Sequence, residues 1–166
     1  MPQWQYIYNM ISPLCSKVMV SCNATQSAIF PFDIEKIVDD FEFGDIGPMT
    51  GLMSAFKIYP EKSFLFIGCD YPFINEQDIQ SLCNAGNESK VACAIMNDEN
   101  IYEPLLAMYR PATFELLKQN HRNNKYSLHF FLEEVEAVKV IPSSKISYLS
   151  VDTIEQYVEA KRMIEK

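Results

Sequence analysis

Gly47-Pro-Met-Thr-Gly51, and the run Ser63-Phe-Leu-Phe-Ile-Gly-Cys-Asp-Tyr-Pro-Phe73 that follows it, decide the fold. Proline is preorganised for the first position of a helix, and apolar spacing carries that helix from Pro48 to Tyr59. Ser63 to Gly68 is then almost entirely apolar, the pattern of a strand buried on both faces in a parallel sheet. Outward from here, helix and strand patterns keep alternating. Upstream, Trp4, Ile7, Tyr8, Ile11 and Leu14 share one helical face behind Pro2; Lys17 to Cys22 reads as a strand, and Ile37 with Val38 as a second, short one. Downstream, Asn75 caps a helix to about Ala85, with Asp78 at its third position, and Val91 to Met96 and Leu105 to Tyr109 read as strands. Helices follow from Pro111 to Asn120 and from Ser127 to Glu134, then late strands at Val138 to Ile141 and Tyr148 to Val151. Asp152 with Glu155 reads as the cap of a last helix ending near Ile164. Residues 1–166 thus read as one α/β domain on a mainly parallel sheet.

Composition narrows the function. Apolar residues make up 48% of the chain, enough for a full core and against disorder. Acidic residues outnumber basic ones 22 to 14, a net charge of −8. A binder of nucleic-acid backbones needs the opposite balance, so nucleic acid is excluded as a partner. A small nucleotide is not, because backbone N–H groups and a metal ion can hold phosphates without many lysines. The five cysteines are odd in number, lack CxxC spacing and sit in or beside apolar runs, which reads as free, buried thiols. His121 and His129 are too few and too far apart for a histidine metal site. The start shows no basic region leading an apolar one, and no stretch reaches the ~18 apolar residues of a membrane span. A cytoplasmic protein with no membrane partner is the expectation.

In open α/β sheets, ligands gather at the carboxyl ends of the strands. Three sequence points fall there. Asp40 ends the Ile37–Val38 strand. Gly47 and Gly51 bracket a helix N-terminus, where a ligand can approach the backbone, although turn geometry or close helix packing would need the same glycines. Asp70 follows the apolar strand directly, in the place of a turn cap or of a magnesium ligand, since Mg²⁺ takes one or two carboxylates plus phosphate oxygens.

In this order and spacing, these segments resemble molybdenum cofactor guanylyltransferase, the family of molybdopterin-guanine dinucleotide biosynthesis protein A. GPMTGLMSAF (Gly47 to Phe56) is similar to that family's G-P-L-A-G-L helix start, and FLFIGCDYPFI (Phe64 to Ile74) to its C-D-x-P-[FYL] metal strand. PQWQYIY, VMVSCN, IVDD, EPLLAMY and SVDTIEQ resemble further family segments in the right order. The resemblance implies a three-layer, Rossmann-like nucleotidyltransferase that takes GTP with Mg²⁺ and transfers GMP to molybdopterin, releasing pyrophosphate. By that resemblance Asp70 is the catalytic metal ligand. Ser21, Asp40 and the turn Gly47, Pro48 to Gly51 surround the guanosine. Ser150 and Asp152 lie on the acceptor side, Asp152 standing where the family has asparagine and either completing the metal shell or serving only as a helix cap. Contacts with other cofactor-assembly proteins are a further implication. Two alternatives stand beside it: a sister nucleotidyltransferase using CTP or a sugar-phosphate, and a non-catalytic nucleotide-binding or interaction module.

The departure is at the start. The family opens with a strand and the loop L-A-G-G-x-S-x-R-M-G-x-x-K, whose backbone and basic residues hold the triphosphate, and the residues here match from beyond it. None of the five glycines precedes Gly44. The reading therefore expects a fold without its first strand and phosphate loop, either an incomplete reading of an ordinary enzyme or a shortened relative whose activity as written is in doubt. Val18, Val20, Phe64 and Phe66 should flank a gap in the sheet, with self-association as the expected consequence.

Overall fold

The computed structural model describes residues 1–164. In chain order the elements are α1 (Gln3–Ile11), β1 (Val20–Cys22), α2 (Ala24–Ser27), β2 (Lys36–Val38), α3 (Pro48–Ile58), β3 (Phe64–Ile67) and α4 (Glu76–Glu88). They continue with β4 (Ala92–Met96), β5 (Tyr102–Tyr109), α5 (Ala112–Arg122), α6 (Leu128–Glu134), β6 (Val138–Val140) and α7 (Ile154–Ile164). Single 3₁₀ turns sit at Ser12–Leu14 and Phe41–Phe43.

The strands form two sheets. β1 and β2 make a parallel pair, and the other four run in the order β3-β5-β4-β6. β3 and β4 are both antiparallel to β5, and β6 is parallel to β4. β5 therefore runs against the rest of its sheet, which is otherwise parallel, as the sequence led one to expect. One direction reverses because Asn97 ends β4 in a tight turn: its side chain accepts from the N–H of Glu99 and of Ile101, and Asn100 adopts φ 61°.

Side-chain alternation divides the core into two layers. Ala92, Ala94 and Met96 face one side of the sheet with Leu52 and Phe56 of α3, Leu117 of α5 and Phe131 of α6. Cys93 and Ile95 face the other with Ile7 and Ile11 of α1 and Ile79 and Leu82 of α4. Small alanines on the first face leave room for large residues such as Tyr109, Phe56 and Phe131, all fully buried. Two apolar layers sandwich the sheet, the three-layer arrangement anticipated.

The gap falls where it was expected. β1 and β3 do not pair, and a groove lined by Val18, Val20, Phe64 and Phe66 separates them. Other expectations fail for identifiable reasons. Tyr148 to Val151 is not a strand, because this segment is held by side chains instead of a ladder. Tyr148 and Lys145 both bond Asp98, while the buried Asp78 carboxylate accepts from Ser143 N–H at 2.6 Å. The last helix is capped by Thr153, not Asp152: Gln156 N–H donates to Thr153 Oγ1, and the Gln156 side chain accepts from Thr153 N–H, a reciprocal capping box. The cysteines are all free, but only Cys22 and Cys93 are buried; Cys15 and Cys83 are half-buried and Cys69 is exposed.

Candidate functional site

The carboxyl ends of β1 and β3 open into a cleft of ≈ 770 Å³. Ser21, Gly47, Pro48, Gly51 and Asp70 all line it, so five of the residues singled out from sequence meet in one place.

Local chemistry explains each position. Gly47 has φ 70° and ψ −147°, a backbone that disfavours any residue with a Cβ, and it sets the angle at which α3 leaves the cleft. Thr50, on the first turn of α3, donates to Gly44 O at 2.8 Å and accepts from Ile46 N–H at 3.1 Å, so the loop before the helix is stapled to the helix itself. Gly51 lies so close to β1 that a Cβ there would overlap the Ser21 hydroxyl, with Asp39 Oδ1 the next atom met. Gly68 is similarly crowded by Asp70, whose carboxylate folds back over the strand end.

Adjacent aspartates have different places. Asp40 forms an ion pair with Lys57 at 2.6 Å, and its carboxylate accepts from Glu42 N–H at 2.9 Å. These bonds hold its carboxyl below the usual carboxylate range, and the residue is not among those lining the cleft. Asp39 lines it instead. Burial raises the Asp39 carboxyl, and the nearby Asp45 charge adds to that. The sequence reading placed Asp40 at the site, and the cleft holds its neighbour Asp39 instead, because of how the strand ends. Asp39 N–H donates to Cys22 O, continuing the β1–β2 ladder, whereas Asp40 N–H leaves it for Ser54 Oγ.

Asp70 is partly desolvated, which raises its carboxyl, and the charge of Asp152 raises it further. The chain bearing Asp152 is tied to it, because Val151 N–H donates to Asp70 O at 2.8 Å. Ser150 Oγ donates to Asp152 Oδ2 at 2.8 Å, and the Gln156 side chain accepts from Asp152 N–H at 2.8 Å. Ser150 and Asp152 are thus braced beside Asp70, and Asp152 is not spent as a cap. Tyr71 was not anticipated. It is buried, donates to Glu103 Oε2 at 3.0 Å, and anchors the turn that carries Asp70.

Asp39, Asp45 and Asp70 are the only charged side chains among the residues lining the cleft, and Asp70 and the neighbouring Asp152, which is not among them, offer the oxygen atoms that could hold a hard cation. Among the described residues no group of three or more Cys, His, Asp or Glu is arranged to hold a metal by itself.

This fold and site define a nucleotidyltransferase-type domain. Residues 1–138 match the MobA-like NTP transferase domain, and the chain belongs to that family. It is 25% identical over 158 residues to a molybdenum cofactor biosynthesis bifunctional protein of Synechocystis, covering 94% of this chain and 45% of that protein. A molybdenum cofactor guanylyltransferase of Pseudomonas putida is 21% identical, over 87% of this chain and 75% of its own length. The chain thus spans about half of the cyanobacterial relative. Among solved structures, the molybdopterin-guanine dinucleotide biosynthesis protein A of Archaeoglobus fulgidus superposes with a TM-score of 0.78 at 19% identity, covering 98% of this chain and 85% of that one. That likeness is one of fold. No described helix is long and apolar enough to cross a membrane.

Proposed function

We propose that this chain carries the nucleotide site of a guanylyltransferase that uses GTP and magnesium and acts on molybdopterin or the molybdenum cofactor. The observation that carries the reading is the convergence of Ser21, Asp39, Gly47, Gly51 and Asp70 on one cleft at the carboxyl ends of β1 and β3. Relatives of the same family named for molybdenum cofactor guanylyl transfer support the substrate class.

Each residue has a part that its chemistry allows. Gly51 and Gly47 leave the backbone open to close approach by a flat base or ribose. The Asp39 carboxylate is an acceptor without a donor of its own when ionised, suited to the paired N1–H and N2–H donors on guanine's Watson–Crick edge; cytosine offers one donor there, its N4 amino group, beside the N3 acceptor, and so fits a carboxylate less well. This is what favours GTP over CTP and the sister nucleotidyltransferases. Asp70, with Asp152, would hold magnesium, which supplies charge neutralisation at the phosphates. No protein nucleophile is needed, because the acceptor's own phosphate would attack the α-phosphorus of GTP as the α–β bond breaks and pyrophosphate leaves. The chain's contribution is positioning.

Asp70→Asn tests the reading. Asparagine keeps the volume and can still accept a hydrogen bond, so the fold should hold. Changes in outer-shell partners alone cost metal sites 10–100-fold, so loss of the ligand itself should weaken magnesium-dependent GTP binding by at least about tenfold. Calorimetric titration with and without magnesium, beside thermal melts, measures both. Unchanged magnesium-dependent binding would remove the metal assignment, and CTP binding as tightly as GTP would remove the guanylyl one.

A further inference from the structure

We propose that Asp98 is a positioning residue of the cleft: it holds the coil of residues 141–153 across the carboxyl edge of the larger sheet, and so keeps Asp152 beside Asp70. The role rests on the reading of those two carboxylates as a magnesium site.

Topology makes this coil a strap. β3 and β4 both run against β5, and β6 runs with β4, so β3, β4 and β6 all end at the same edge. The sheet order is β3-β5-β4-β6. The chain leaving β6 after Val140 must therefore pass β4 and β5 before Val151 N–H reaches Asp70 O, just beyond β3. Three strand spacings separate β6 from β3, about 14 Å. Residues 141–151 fully extended would reach roughly 35 Å, more than twice as far. A coil this slack is not placed by its two ends alone, and contacts between them must take up the surplus length.

Side chains at the strand ends supply those contacts. At the start of α4, Asn75 and Asp78 hold Ser143, and Asn75 also holds Ser147. Within the strap, Ser147 N–H donates to Ser144 O and Leu149 N–H to Ile146 O, which draws the coil in. Asp98, in the turn after β4, accepts from Lys145 with one carboxylate oxygen and from Tyr148 with the other. Of these anchors it is the nearest along the chain to Asp152, because Tyr148 lies only four residues before it. From the other direction the hold is slight. Asp152 N–H donates to the Gln156 side chain of α7, but Ala160 is the one buried residue described on that helix, and Ile154 and Tyr157 are exposed. Asp152 thus takes its place from the strap, and the strap takes its course past β4 from Asp98. Asp98 itself is not among the residues lining the cleft, so it acts through Asp152 and not on a ligand.

Positioning and stability separate at this residue. The Asp98 and Lys145 side chains are 43% and 83% exposed, and bonds at such a surface add little to the fold. Asp98→Ala should therefore lower the melting temperature by less than about 4 °C. Without any ligand, the Val151 amide, which reports the strap docked on Asp70, should exchange about threefold to tenfold faster in the variant. GTP affinity without magnesium should be unchanged. The gain in GTP affinity that magnesium brings should fall by about threefold to tenfold, because the site is then complete for a smaller fraction of the time. Tyr148→Phe keeps the ring in its packing and loses only the hydroxyl, and should move both readouts the same way. Calorimetry with and without magnesium on the intact chain, run beside Asp70→Asn, separates the outcomes. If the parent gains nothing from magnesium, or if Asp70→Asn keeps the gain, the magnesium reading falls and the role of Asp98 falls with it. If Asp70→Asn loses the gain while Asp98→Ala and Tyr148→Phe keep it, the magnesium reading stands and the positioning role alone is overturned. Val151 exchange that neither variant alters would overturn that role as well.

Discussion

At Gly51 the cleft has no room for a single added methyl group. Gly51→Ala places a Cβ on the Ser21 hydroxyl, and neither α3 nor β1 can retreat without disturbing the core that Leu52 and Phe56 fill. Overpacking of this kind costs about 1–3 kcal/mol, or roughly 2–10 °C in melting temperature for a chain of this size. Ser21→Ala removes the offending oxygen and leaves Ser21 Cβ at 3.6 Å, an ordinary contact. The double variant should therefore recover most of the loss, a coupling that thermal melts of the four proteins would measure; a loss that Ser21→Ala does not relieve would show that the strain lies elsewhere. Asp39 gives a second residue-level expectation. Its carboxyl is raised by burial and by Asp45, so the folded state holds that proton more tightly than the unfolded chain. Its contribution to stability is fully present below the ordinary carboxylate value and is lost as pH rises through the raised one. Asp39→Asn should then melt higher than the parent at neutral pH, with the gap closing as the pH falls. A gap independent of pH would argue against a titration origin.

Among the elements, α4 and the segment that follows β6 depend on one polar knot. The Asn75 side chain accepts from Asp78 N–H and donates to Asp78 Oδ2, Ser143 Oγ and Ser147 Oγ. Asp78, only 1% exposed, accepts from Ser143 N–H in turn. Asn75→Ala removes the helix cap and three further bonds, an expected loss of about 1–2 kcal/mol. It should also speed amide exchange around residues 143–147, which a cap loss confined to α4 would leave unchanged. The sequence showed the cap, because Asn followed by an acidic third residue is a local signal. It did not show the far side of the knot, since nothing local says that Ser143 will meet Asp78. The same limit separates the other successes and failures. Helix α3 and strand β3 were legible from proline placement and an apolar run, and Gly51 and Asp70 from where those elements start and stop. The coil at Tyr148 to Val151 was not, because its apolar residues suit a strand, whereas Tyr148 is tied to Asp98 and Val151 N–H to Asp70 O, partners that nothing local reveals. Asp40 was chosen over Asp39 for a similar reason: the distant partners Cys22, Ser54 and Lys57, which the sequence does not reveal, decide which of the two faces the cleft.

At the scale of the whole molecule, the divided sheet should divide stability as well. The four strands of the β3-β5-β4-β6 sheet are covered by apolar layers on both faces, and Cys93, Ala94, Ile95, Leu106 and Ala107 at its centre are fully buried. The β1–β2 pair has three residues in each strand and one ladder. Two strands alone are marginal in water, and this pair is held to the body through its contact with α3. Segments with few buried contacts open by partial unfolding at a lower free energy than the global transition. The amides of Cys22 and Asp39 should therefore exchange well before those of β4 and β5, although they sit in regular ladders. Magnesium and GTP should slow them if the cleft is occupied as proposed, because Ser21 and Asp39 belong to the β1–β2 wall of it and Asp70 to the wall formed by the larger sheet. Native-state exchange across a range of low denaturant concentrations distinguishes the outcomes. Convergence of all these amides on one opening free energy would mean that the two sheets unfold as a unit. An early, separate opening of β1–β2 would mean that the nucleotide cleft is assembled, each time, from a stable wall and one that must be recruited.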